Sequence, residues 1–488
     1  MLENLKPERV FYYFEELTKI PRESGNEKAV SDYLYSVGKS LGLETIQDES
    51  NNIVIRKPAY KGYENHEPIV IQGHMDMVAE KADGVEHNFL VDPIPVIVDG
   101  DWVKTEGTTL GADDGIAVAM AMAILEDEDL VHPELEVLIT VAEDKEAKHP
   151  ALELLVTTDE ERTMAGARAV KRELLNGRKL LNIDAEEEGV LLSGCSGGHN
   201  IVGTLKVKYE KSDMKNTFVL FVNNMLGGHS GMEIHQQRGN SLKFALRAMD
   251  MIKEIADYRL VSIEGGTKHN AIPRDAKVIF TSNADEFNID FSRLISEYPL
   301  DKDMRVSIEK VENVKEVLCK GCQEKIENVV RNIPHGVYSM MEEYPSIVEC
   351  SDNFAIIKFD GNFVKFTVSL RSSNSKTFEE YTDMVKKVYE ENGVRYTLED
   401  YYKPWEFAKV SKLRDTALEV YKKLTGKEMK VEVVHAALEP AVFVDTFPDM
   451  EMISIGPTMK DVHSPVERLN IPSTQRTFEF VKELLKSL

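Results

Sequence analysis

Apolar side chains recur at helical spacing near the start of the chain: Val10, Phe11, Phe14 and Leu17, then Val30, Leu34, Val37 and Leu41. Pro7 suits a first helical turn, so this pattern predicts two helices within about residues 6–42. Short β-rich runs follow at Ile53-Val-Ile-Arg, Ile69-Val-Ile-Gln and Val96-Ile-Val. The Ala- and Met-rich segment from Gly115 to Asp127 is apolar on every side and reads as a buried helix. Strand patterns return at Glu136–Thr140, Leu154–Thr158 and Leu180–Asp184. Strands alternating with helices imply an α/β sheet with crossover connections. A second α/β region spans about residues 200–390, with a strand at Thr217–Val222, a helix near Ser241–Ile255 and strands near 258–263 and 277–282. The stretch from Val311 to Asn332 reads as helix-like.

Candidate chemistry sits where apolar runs end. His74 and Asp76 follow Ile69–Gly73, and residues i and i+2 of an extended backbone point the same way. The imidazole can bind a metal while Asp76 orients it from behind. Asp113-Asp114, Glu160-Glu161, Asp184 and His463 are further carboxylate and imidazole clusters. Such ligands without thiolate suit zinc, manganese or cobalt. The clusters come from both ends of the chain. An interrupted catalytic domain is therefore expected, with parts at 1–198 and 393–488 around an inserted domain at 199–392.

One repeat complicates this layout. His132-Pro-Glu-Leu-Glu-Val-Leu-Ile-Thr140 is echoed by His149-Pro-Ala-Leu-Glu-Leu-Leu-Val-Thr157, and each copy ends near an acidic pair, Glu143-Asp144 or Glu160-Glu161. Two copies make a local duplication of one strand and no solenoid. Glu160-Glu161 is the favoured metal-site pair, with Glu143-Asp144 the fallback.

Composition narrows the class. The 488 residues exceed a single compact core and favour two domains. A net charge of −25 argues against a nucleic-acid partner and against docking on anionic lipid. No run of eighteen apolar residues occurs, and the N-terminus lacks a basic and apolar leader, so neither a membrane span nor secretion is expected. Four cysteines fit a reducing cytoplasm. Cys319 and Cys322 form a CxxC with no second pair, read as two ordinary thiols ahead of a zinc or redox site.

Taken together the motifs resemble the M20 metallopeptidases, and within them the aminoacyl-histidine dipeptidase branch. They are Gly73-His-Met-Asp-Met-Val78, Gly107–Gly115, Thr158-Asp-Glu-Glu161, Asn182–Gly189, Gly227-Gly-His-Ser-Gly231, Gly266–Arg274 and Val462-His-Ser-Pro465. The resemblance implies a zinc-peptidase-like α/β catalytic domain, a mixed sheet flanked by helices, with an inserted α/β lid and dimerisation domain. It implies two divalent ions per subunit, zinc first and manganese or cobalt as substitutes. His74 and His463 would each hold one ion, Asp113 would bridge them, and Glu161 and Asp184 would complete the two sites. Asp76 would buttress His74, and Glu160 would be the general base. A cis peptide is implied between Asp113 and Asp114. His229 would reach the active site of a partner subunit and help hold the oxyanion, while Asn270 and Arg371 would bind the substrate's C-terminal carboxylate.

The expected activity is hydrolysis of dipeptides, including Xaa-His (carnosine-like) ones, by a cytoplasmic homodimer acting on small peptides. The family's usual His-Ala-Gly-Leu-Glu-Cys-Gly stands here as His435-Ala-Ala-Leu-Glu-Pro-Ala441. His435 and Glu439, a substrate-binding candidate, remain, whereas two glycines and the cysteine are replaced. Those replacements and the duplication keep two alternatives open: another M20 specificity (tripeptidase, carboxypeptidase or N-acyl amino-acid hydrolase), or a non-catalytic dimeric binding protein on the same fold.

Overall fold

The computed structural model describes residues 2–141, 164–342 and 344–488. The second copy of the repeat and both acidic pairs, Glu143-Asp144 and Glu160-Glu161, lie outside the described residues. The chain forms two compact units. One comprises Met1–Gly194, Phe407–Val433 and Leu438–Leu488, and the other Cys195–Glu406 with Val434–Ala437. The main crossings thus fall at 194/195 and 406/407, where the spread of candidate ligand clusters suggests 198/199 and 392/393, and Val434–Ala437 returns briefly to the second unit. Pairing explains the later return: the strand Arg395–Tyr402 lies antiparallel to Gly197–Lys206, so its backbone is completed by the second unit.

Among the described residues, the first unit is built on an eight-stranded mixed sheet. Its order is Glu44–Gln47, Ile53–Lys57, Leu135–Thr140, Ile69–His74, Lys179–Asn182, Glu451–Ser454, Val190–Cys195 and Lys430–Val434. The four central strands from Leu135–Thr140 to Glu451–Ser454 run parallel to one another. Strands covered on both faces read as continuous apolar runs, and every residue of Ile69–His74 is buried. The first copy of the repeat is the neighbouring central strand Leu135–Thr140, also buried throughout. The helix Ala112–Glu126 lies against Ile69–His74, and Glu8–Thr18 packs on that helix in turn. Its dihedrals leave the helical region at Asp113 and Asp114, so regular winding begins at Gly115. The Asp113–Asp114 peptide is cis, as the family resemblance implies.

The second unit carries a nine-stranded sheet. Its main path runs Arg305–Val311, Asn216–Asn223, Ala276–Ser282, Tyr258–Gly265, Val348–Asp360, Phe363–Ser372, Gly197–Lys206 and Arg395–Tyr402, and Gly336–Met340 also pairs with Val348–Asp360. The helices Ser241–Ile255, Lys320–Asn332 and Ser375–Glu391 pack on it around a core rich in Phe, including Phe218, Phe244, Phe280, Phe354 and Phe366. Asn240 caps the first of these helices by accepting from the Leu242 and Lys243 amides, which fixes its start. The stretch 311–332 departs from its helical reading. Glu316–Leu318 is a strand paired with Tyr209–Lys211, and the helix begins only at Lys320, with Cys319 as its N-cap. The Cys319 and Cys322 sulfurs lie 3.0 Å apart there. Among the described residues no helix is long and apolar enough to cross a membrane.

Candidate metal centre

His74 is the last residue of its strand and is buried. Asp184 stands just past the end of Lys179–Asn182, the parallel neighbour. Clefts beyond the carboxyl ends of parallel strands are where open α/β sheets place their ligands. Asp76, fully buried, lies with Oδ1 3.1 Å from His74 Nδ1, and its Oδ2 accepts from the Ser24 hydroxyl at 2.7 Å. A carboxylate can only accept, so Nδ1 carries the proton and the Nε2 lone pair points to the other side. There His74 Nε2 lies 3.3 Å from Asp113 Oδ1 and 3.8 Å from Asp184 Oδ1. The second Asp113 oxygen, Oδ2, lies 2.8 Å from His463 Nε2. Asp113 therefore faces a different imidazole with each of its oxygens.

Asp114 joins the cluster as well. It is fully buried, its Oδ2 accepts from the His74 amide at 3.2 Å, and its ligand atom lies within 4.8 Å of those of His74 and Asp184. Asp114 Oδ1 is buried with no hydrogen-bond partner among the described residues. Burial pushes the Asp114 carboxyl well above the usual range, and the Asp184 charge adds to it. Burial likewise raises Asp184, with Asp113, Glu439 and Glu186 contributing repulsion against the pull of His74. At Asp113 burial also pushes upward but is outweighed by His463 and His74, so that carboxyl is held low. Several buried carboxylates around two imidazoles are costly without cations among them. The oxygen and nitrogen donor set, its convergence and the orphaned Asp114 oxygen all fit divalent metal.

Of the site residues expected from the sequence, His74, Asp76, Asp113, Asp184 and His463 come together in the structure. Glu160 and Glu161 lie outside the described residues. Glu439 opens the helix Glu439–Thr446 and is buried, with its carboxylate accepting from Thr140 Oγ1 at 2.8 Å and from the Gln72 amide. Pro440 occupies the first turn of that helix, a position proline tolerates.

Three groups were not foreseen. Asp114 was named only as a neighbour of Asp113. Arg22, buried in full, donates through Nη1 to the Met75 and Asp76 carbonyls, at 2.9 Å each, and through Nη2 to Gly111 O. Glu467 accepts from the backbone amides of Leu110, Gly111, Ala112 and Asp113. For Glu467 the only available signal was its spacing four residues after His463, and for Arg22 there was none.

His229, Asn270 and Arg371 belong to the second unit. His229 Nδ1 accepts from the Gly231 and Met232 amides at 3.2 and 3.0 Å, so its proton resides on Nε2. A Cβ at Gly231 would stand 3.1 Å from His229 Cε1 and 3.4 Å from Arg371 Nε, so glycine lets the ring and the guanidinium close around it. Arg371 Nε is buried without a hydrogen-bond partner among the described residues, and Nη1 reaches only Tyr402 OH, at 3.4 Å. His435 accompanies this group, paired with Ser351 Oγ at 2.7 Å. Burial, reinforced by Arg371, pushes it down to about 3, so it is neutral. Asn270 lies beside His229 through its backbone, whose carbonyl accepts from the Ser230 amide at 2.8 Å.

Residues 70–487 match peptidase family M20/M25/M40. The chain is 32% identical over 497 residues to the cytosol non-specific dipeptidase of Escherichia coli (strain K12), covering 100% of this chain and 99% of that protein. The crystal structure of the aminoacylhistidine dipeptidase from Vibrio alginolyticus superposes with a TM-score of 0.84 at 30% identity, over 100% of this chain and 98% of that one. The aminopeptidase PepT from Bacillus cereus shares the fold at 15% identity, with a TM-score of 0.56 over 99% of both chains. Such a fold with such a cage is that of a metallopeptidase. The chain belongs to peptidase family M20/M25/M40.

Proposed function

We propose that this peptidase hydrolyses dipeptides, Xaa-His (carnosine-like) substrates among them, with two divalent metal ions per subunit. The observation that carries the reading is Asp113, whose two carboxylate oxygens face His74 on one side and His463 on the other. His74, Asp113 and Asp184 would hold one ion, and Asp113, Glu161 and His463 the other. Zinc suits the set best, with manganese or cobalt able to replace it. When bound, the pair supplies an acidified water and a polarised scissile carbonyl.

The chain's own groups do the rest. Asp76 holds the His74 ring in the tautomer that offers Nε2. Glu160 takes the proton of the attacking water and returns it to the leaving amine. His229 donates its Nε2 proton to the developing oxyanion, in the active site of a partner subunit, which makes the functional form a homodimer. Arg371 and Asn270 hold the substrate's C-terminal carboxylate, and the unsatisfied Arg371 Nε supports that role. Fixing that terminus next to the scissile bond selects for two residues. The cysteine content, together with a relative named as a cytosol enzyme, supports a cytoplasmic location.

The test is metal content by mass spectrometry together with turnover of a panel: Xaa-His dipeptides, other dipeptides, tripeptides and N-acyl amino acids. Dipeptide turnover lost to a chelator and restored by zinc, manganese or cobalt is expected. Faster tripeptide or N-acyl hydrolysis would assign another specificity. Stoichiometric metal without any turnover would make the protein a binding module.

A further inference from the structure

Ligand-bearing segments far apart in sequence must be held in register before an ion arrives, and the fold shows how. The Glu467 carboxylate is 2% exposed and accepts four consecutive backbone amides. Oε2 takes Leu110 at 2.7 Å and Gly111 at 3.0 Å, while Oε1 takes Ala112 at 2.8 Å and Asp113 at 3.3 Å. Glu467 follows His463 by four residues, Ser464-Pro465-Val466 lying between. It therefore ties the His463 segment to the turn that presents Asp113. Arg22 grips the other side of the same turn through Gly111 O, and reaches Met75 O and Asp76 O on the segment that follows His74. A Cβ at Gly111 or Gly115 would stand 2.6 or 2.5 Å from Arg22 Nη2, so both glycines make room for the guanidinium.

We infer that Glu467 and Arg22 are positioning residues: two buried side chains of opposite charge that preset the Asp113 turn between His74 and His463. Neither touches the donor atoms. Each acts on backbone groups, Glu467 on amides and Arg22 on carbonyls, so the turn is gripped from both polarities at once. A carboxylate suits four amides in a row because it only accepts and has lone pairs for all of them. Glutamine in its place presents an amide nitrogen to two of those donors and leaves them unsatisfied. The inference rests on the reading of Asp113 and His463 as metal ligands.

Its test compares Glu467→Gln with Glu136→Gln in the full-length protein. Glu136 is an equally buried carboxylate at the start of Leu135–Thr140. It accepts from Arg56 and from the Asn176 and Gly177 amides, away from the metal cage. Both variants should melt at lower temperature. Only Glu467→Gln should lower Co2+ affinity, by roughly 10–100-fold in titrations of the visible d–d absorption. Only Glu467→Gln should lower kcat with KM kept within about twofold, and only it should speed amide exchange at residues 110–113 in the metal-free protein. Glu467→Asp, which keeps the charge on a shorter stem, should fall between wild type and Gln, and it serves if Gln fails to fold. A Glu467→Gln protein with wild-type Co2+ affinity, or with unchanged exchange at 110–113, would overturn the inference. Wild-type protein that binds no Co2+ would overturn the metal reading instead, while the exchange measurement would still judge the clamp.

Discussion

Gly73 offers the sharpest single perturbation of the cage. It precedes His74 and is not among the glycines with positive φ, so alanine meets no backbone strain there. The objection to a side chain is steric alone. A Cβ at Gly73 would stand 2.6 Å from Asp114 Oδ2 and 2.7 Å from Ala117 Cβ. Carbon atoms settle at about 3.5–4.0 Å, so strand and helix must part by roughly 1 Å. Neither neighbour can rotate aside: Ala117 Cβ is fixed to its helix, and Asp114 is fully buried and accepts from the His74 amide. Overpacking of this kind costs about 1–3 kcal/mol, against which the stiffer unfolded chain returns about 0.4–1 kcal/mol. The larger effect is on geometry, since His74 rides on the strand and Asp113 on the start of the helix. A shift of about 1 Å costs roughly 100-fold in rate when it separates positioned groups. Gly73→Ala should therefore lose a few degrees in the metal-free melt, yet lose one to two decades in Co2+ affinity and about two in kcat. Gly321→Ala is the control, because a Cβ there meets nothing within 4 Å and the residue lies in the helix Lys320–Asn332. It should be neutral or stabilising by up to about 1 kcal/mol. Wild-type Co2+ affinity in Gly73→Ala would refute the claim that contact between this strand and helix sets the cage.

Three further outcomes are expected. His229→Gln should lower kcat by about 100–1,000-fold with little change in KM, measured on the best dipeptide, if its Nε2 proton stabilises the oxyanion. Arg371→Lys should instead raise KM at least tenfold, since an ammonium loses the fork that matches a carboxylate; an unchanged KM would remove Arg371 from the binding site. Asp352 predicts a pH effect on the second unit: burial lifts its carboxyl to about 7, against hydrogen bonding from Tyr381 and the charge of Lys243. A carboxyl raised in the folded state keeps its stabilising proton at low pH and loses that contribution as pH rises from about 4 through about 7. The loss is on the order of 4 kcal/mol. Asp352→Asn keeps an acceptor for Tyr381 and should flatten the decline in melting temperature between pH 5 and 8, and an unaltered slope would discount it.

What could be read from the chain and what could not divide along physical lines. Local periodicity located the helix Ser241–Ile255, because Asn240 caps it and its apolar face recurs at helical spacing. It also located Ile69–His74, because a doubly covered parallel strand is apolar throughout. The partnership of His74 with Asp76 was legible because alternation in an extended strand needs only two residues. The stretch 311–332 misled because Glu316–Leu318 is held as a strand by Tyr209–Lys211, a partner no local window contains. The same distance hid Arg22 and Glu467. Their work is to satisfy backbone groups 53–89 and 354–357 positions away, and backbone groups carry no residue identity. Asp114 was hidden differently: which of two adjacent carboxylates faces a cage depends on the dihedrals of the turn, and Asp113 and Asp114 leave the helical region.

The pairing of Gln72 with Asn182 places His74 and Asp184 at matching heights, each two residues beyond it, on neighbouring parallel strands. Side chains of a strand alternate faces, so inserting or deleting one residue between Ile69 and Gly73 would turn the imidazole away from its partners while the apolar core could still close. Length changes in this strand are therefore tolerable only in even steps, and even those must shift both strands together. Loop insertions away from the Leu110–Asp113 turn and the His463–Glu467 segment meet no such arithmetic. Descendants of this chain can drift in their remaining connections, but residues enter or leave these two short segments only in matched, even steps.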